Sequence, residues 1–190
     1  MADARVVVPA GALVAGLPLV LALTDVHLTG APAALVVSTA TGALAVSALT
    51  VQPLLAARLR RLRLHRALGA VALALVLVHV GALFVVSPGD ALFAMSPDGP
   101  TRARMALMAT VALVLVVALG VLRRRLPFGP VTWRILHAYL ATLVILLGFG
   151  HALITQGALD GAGTVVLVAF GAGALAGVAL AELARHRTRA

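Results

Sequence analysis

Cysteine is absent from this chain of 190 residues. That excludes disulfides, iron–sulfur clusters, a cysteine zinc site and covalently attached c-type haem. Lysine is absent too, so all fifteen basic residues are arginine. Acidic residues number only six, and charged residues make up 11% of the chain. The motifs of soluble cofactor chemistry are missing as well: there is no Walker-type GKS/T, no HExxH and no serine nucleophile elbow. GAGALAG, residues 171–177, has the glycines of a dinucleotide loop but sits inside an apolar run with no strand before it. Close helix packing by small residues explains it better. No polar segment is long enough to form a soluble domain.

What is present is apolar. Hydrophobic residues make up 62% of the chain, and the mean hydropathy is +1.11. The class is therefore all-α, a polytopic membrane protein in contact with a lipid bilayer. Six runs are each about the ~20 residues needed to span the hydrocarbon core. They lie near 6–24, 31–56, 66–86, 103–122, 132–154 and 162–183. The first carries Pro9 and Pro18 and lacks a small-x-small cleavage site, so it is read as a retained helix rather than a signal peptide.

The arginines give the bundle a direction. Arg58, Arg60, Arg61, Arg63 and Arg66 crowd the junction of the second and third runs, and Arg123, Arg124, Arg125 and Arg134 flank that of the fourth and fifth. Arg185, Arg187 and Arg189 form the tail. The other three loops hold Arg102 and Arg104 with Asp25, Asp90, Asp98 and Asp160. By the positive-inside rule both termini are cytoplasmic. Clusters placed this way are topology signals, so no nucleic-acid partner is expected. The expectation is one domain over residues 1–190, a six-transmembrane-helix bundle in a bacterial plasma membrane. The loop from Ser87 to Thr101 contains SPGD and SPDGP and reads as a short external turn.

Four of the six histidines lie in or at the edge of the apolar runs: His65 and His79 in one, His137 and His151 in another. Each pair is fourteen residues apart. Fourteen residues make nearly four helical turns, so each pair shares one face with roughly 21 Å between its levels. Both helices start at the cytoplasmic side. His65 is thus expected opposite His137 at the inner level, and His79 opposite His151 at the outer. A lone membrane histidine is commonly just a hydrogen-bonded interior residue, but two pairs at one interval make a functional site the stronger reading.

Two facing imidazoles suit an iron whose other four positions are filled by porphyrin nitrogens. Zinc needs three or four protein ligands, and no carboxylate lies near either level. Gly69 and Gly148 are small residues where a haem plane would pass, although helix packing alone explains either. Arg66 and Arg134 adjoin the inner level and suit haem propionates, or serve only as topology determinants. Trp133 sits where an interfacial aromatic anchors a helix. The competing class is a proton relay or transporter built on buried histidines without haem. Such relays mix in acidic residues, and here only Glu182 lies in a run, at its very end.

LHRALG with a second histidine fourteen residues on, then WRILHAY followed by HAL, resembles the ferric reductase-like transmembrane domain. That family includes the membrane cores of ferric reductases and NADPH oxidases and the haem-binding subunit of the methionine sulfoxide reductase system. The resemblance implies a protein with two b-type haems that carries electrons outward. By position, His65, His79, His137 and His151 would be the axial ligands. It implies the membrane component of an oxidoreductase, with no catalytic acid or base of its own. Since no flavin- and NADPH-binding domain follows the sixth run, the expected donor is a separate cytoplasmic flavoprotein or quinone. The expected acceptor is ferric iron, oxygen or a periplasmic redox partner.

Overall fold

The computed structural model describes residues 16–57, 61–155 and 161–187, and every regular element among them is helical. Helices are the expected outcome, because lipid offers no partner for backbone N–H and C=O groups and a helix satisfies them internally. Residues 16–23 form α1, and Val26–Leu28 a single 3-10 turn. α2 (Ala33–Ala57), α3 (Leu62–Val86), the short α4 (Pro88–Met95), α5 (Thr101–Val121), α6 (Pro130–Ile154) and α7 (Gly161–Arg187) follow. Five of these, α2, α3, α5, α6 and α7, are long and apolar enough to cross a membrane. Of the first expected span, residues 6–15 lie outside the described residues.

Two boundaries differ from the sequence-based expectation. α3 begins at Leu62 rather than near 66. Arginine stems can lie along a helix while their charged heads reach the polar layer, so Arg63 and Arg66 do not end it. The loop after α3 is also not all turn, because α4 occupies its first half. Ser87 caps that helix, its hydroxyl accepting from the Asp90 N–H at 3.4 Å, and Pro88 takes the first helical position. Only the second part, Ser96 to Gly99, is a tight turn.

α2 packs along α3 and α5 along α6, while α7 lies across α2 and α6. α3 and α6 themselves scarcely touch. One buried cluster joins Ala112, Leu113, Val116 and Val144; a second joins Ile145, Phe149, Leu167 and Ala174. Gly171 and Gly177 let α7 approach closely, since a Cβ on them would meet the Phe149 ring at 3.0 Å and Pro53 Cβ at 3.1 Å. The GAGALAG stretch is thus a packing surface. Large apolar side chains such as Val71, Leu77, Val114 and Leu115 face outward, as lipid contact requires.

Candidate functional site

The histidines of α3 and α6 meet in two pairs. The rings of His65 and His137 lie 6.1 Å apart, centre to centre, and those of His79 and His151 lie 6.3 Å apart. Both pairs meet edge-on, at 62° and 71°. α3 and α6 therefore run in the same direction in register. The first pair lies at the end of the bundle that carries the arginine-rich turns, the second at the far end near α4. Midway between the levels stand Ala72 and Val144, seven residues from each histidine of their helices and both buried. No polar side chain occupies the ladder face midway along either helix.

Backbone carbonyls hold three of the rings. His79 Nδ1 donates to the Ser38 carbonyl at 2.8 Å, His65 Nδ1 to the Gln52 carbonyl at 3.2 Å, and His151 Nδ1 to the Arg102 carbonyl at 2.9 Å. A carbonyl can only accept, so the hydrogen resides on Nδ1 and Nε2 of the neutral ring keeps its lone pair. This second-partner arrangement is the one that orients metal-ligating imidazoles. Ser38, only 1% exposed, adds its hydroxyl, which lies 3.0 Å from His79 Nδ1 and donates to the His79 carbonyl at 3.1 Å. The ring can come this close to α2 because of Gly42, where a Cβ would stand 3.0 Å from His79 Nδ1. His137 rests on the indole of Trp133, with ring centres 4.9 Å apart and planes 16° from parallel.

This donor set fits haem. At the far level Nδ1 of both rings is engaged by a carbonyl, which leaves Nε2 as the nitrogen free to ligate. Two metal–nitrogen bonds of about 2 Å, plus about 1 Å from each nitrogen to its ring centre, give about 6 Å. Among the described residues no group of three or more His, Cys, Asp or Glu could hold a bare ion. Among the described residues each level thus brings two imidazoles together, which suits a metal that brings its own further ligands.

The remaining sequence candidates lie close by. Arg66 is exposed beside His65, and half-buried Arg134 lies one turn before His137. Gly69 opens onto the Gln52 side chain and Gly148 onto Leu49, so both glycines face α2. Ser38, Gly42, Gln52 and Arg102 are site residues that the sequence does not single out, because backbone carbonyls carry no residue signature. Trp133 carries a signal, its spacing of four from His137, which puts the two on one helix face.

Membrane-length helices presenting paired imidazoles across a seam are the frame of a membrane redox protein. The sequence matches the family described as Ferric reductase like transmembrane component over residues 32–148, more than half of the chain, which belongs to that family. The match includes His65, His79 and His137 and stops three residues short of His151. Membership assigns the chain to membrane electron transfer in general, and domains of this family generally bind haem. No curated protein and no solved structure matches the chain.

Proposed function

We propose that the protein is a di-haem b-type electron carrier that passes electrons from the cytoplasmic side of the membrane to an acceptor outside. His65 and His137 would hold the inner haem, and His79 and His151 the outer. In this reading the chain spans the membrane six times with both termini in the cytoplasm. The observation that carries it is the pair of ring separations, 6.1 and 6.3 Å, with Nδ1 of three rings tied to carbonyls.

Haem, when bound, supplies a one-electron ferric–ferrous couple at each level. The chain's own part is to ligate, orient and insulate. The carbonyls of Ser38, Gln52 and Arg102 keep the hydrogen on Nδ1 and fix the orientation of each ring. Arg66 and Arg134 supply charge for propionates at the inner level. Buried Ala72 and Val144 keep the ladder faces apolar between the levels, which favours electron transfer over a proton relay. The donor is a separate flavoprotein or quinone; the acceptor is ferric iron, oxygen or a periplasmic redox partner.

The test is an absorption spectrum of the detergent-purified protein, oxidised and then reduced with dithionite. Sharp b-type bands with about two haems per chain by pyridine haemochrome are expected from six-coordinate bis-histidine sites. A colourless protein from haem-replete cells would refute the reading.

A further inference from the structure

Trp133 is the only tryptophan of the chain, and the structure makes it more than an interfacial anchor. Its Nε1–H donates to the Leu119 carbonyl at 3.1 Å, which pins the indole of α6 to the last turns of α5. The Arg123 guanidinium lies over the same indole, 4.5 Å from the ring centre. The His137 imidazole stacks on it at 4.9 Å. A surface cation, an indole and a candidate ligand thus form one contact series, ending 6.1 Å from His65.

We infer that Trp133, with Arg123, positions His137 and sets the electron affinity of the centre that His65 and His137 hold. The inference rests on the di-haem reading. Two physical effects support it. A face-on stack limits rotation of the imidazole about its Cβ–Cγ bond, the task that carbonyl hydrogen bonds perform at His65, His79 and His151. A fixed positive charge near a ligand favours the reduced centre, which carries one positive charge fewer than the oxidised one. An indole face accommodates that cation in place. The two centres are therefore unequal by construction: of the two, the arginine-end one alone carries a cation-bearing aromatic stack on one of its imidazoles.

The experiment compares Trp133→Leu, Trp133→Phe and Arg123→Gln in the haem-loaded protein by redox potentiometry. His65→Ala and His79→Ala serve to assign each transition. Trp133→Leu and Arg123→Gln should lower the potential of the arginine-end centre alone, changing its ferrous-to-ferric ratio several-fold at a fixed ambient potential. Trp133→Phe, which keeps a stacking ring, should recover much of the Trp133→Leu effect. Unchanged potentials, or equal shifts at both centres, overturn the inference. If Trp133→Leu does not fold, Arg123→Gln decides alone.

A second readout needs no haem. In haem-depleted protein the single-tryptophan emission should change on His137→Ala and stay as it is on His151→Ala. Equal responses overturn the stack. A colourless wild-type protein defeats the di-haem reading itself. Two haems with insensitive potentials defeat only the role given to Trp133.

Discussion

Ser38 and Gln52 stand fourteen residues apart on α2, and their carbonyls receive the Nδ1 hydrogens of His79 and His65, which stand fourteen apart on the antiparallel α3. The interval that puts both histidines on one face of α3 puts both acceptors on one face of α2. α2 thus serves as a template, fixing two rings at two depths with one rigid rod. α5 supports the other ladder from the opposite side, through Arg102 to His151 and through Leu119 to Trp133. The orientation of these rings comes from secondary structure rather than from flexible side chains. Partners of this kind are commonly worth ~10–100-fold in metal affinity.

Gly42 sits between these two acceptors and tests the template directly. A methyl group at this position would press on the His79 ring at 3.0 Å from Nδ1 and 3.3 Å from Cε1. Overpacking of this sort costs about 1–3 kcal/mol, and here the yielding partner is the proposed ligand His79. Gly42→Val should deplete the far haem while the arginine-end haem remains, with Gly42→Ala intermediate. Haem stoichiometry and the low-spin resonance spectrum of the oxidised protein measure both. Equal depletion at the two levels would count against the geometry.

The pairing itself predicts which substitutions resemble each other. His79→Ala and His151→Ala should remove the same centre, and His65→Ala and His137→Ala the other. Each variant should fall from about two haems per chain to about one, since an iron deprived of one axial imidazole loses its six-coordinate bis-histidine site. Difference spectra of the four variants should fall into two matching sets. Any variant that retains both haems breaks the pairing.

Much of this arrangement is legible in the residues. Apolar runs mark the long helices from α2 onward, and the fourteen-residue interval alone places His65 and His79 on one helix face. Two things are not legible. The acceptors that orient the rings are backbone carbonyls, identical at every residue, so neither Ser38 nor Gln52 announces itself. Helix ends are blurred for a different reason: arginine stems are compatible with helix, so α3 runs through Arg63 and Arg66. Ser87 and Pro88 carry a cap signature, yet Gly89 and Asp90 beside them read equally as a turn. Trp133 is visible as a tryptophan at a membrane boundary, but its stack on His137 depends on Leu119, a residue of another helix.

The charge map makes a separate prediction. Exposed Arg61, Arg63, Arg123, Arg124 and Arg125 cluster at the end that holds His65 and His137. The positive-inside rule predicts that this end faces the cytoplasm. A reporter active only in the cytoplasm should work when fused after Ala190, and one active only outside should work within the Ser96–Gly99 turn. The reverse pattern would invert the direction of electron flow while leaving the ligand pairs untouched.

Haem removal should cost stability, because the histidine ladders belong to two different packed units. α3 is carried by α2 and α6 by α5, while α3 and α6 scarcely touch one another. A haem ligated from both sides would join these units at two depths. A ligand bound only by the folded state stabilises it by about 2.7 kcal/mol at a hundredfold excess over its Kd. At about 2–4 °C per kcal/mol for a chain of this size, two such sites imply a rise in Tm of roughly 10 °C or more. Thermal unfolding in detergent should therefore rank haem-loaded protein above the single-centre variants, and these above haem-depleted protein. His79→Ala and His65→Ala should fall between the extremes, since each keeps one of the two ties. If haem-depleted protein melts at the same temperature as the loaded form, α7 and the α3–α5 and α2–α6 contacts hold the bundle unaided. The histidines would then contribute nothing to joining its halves.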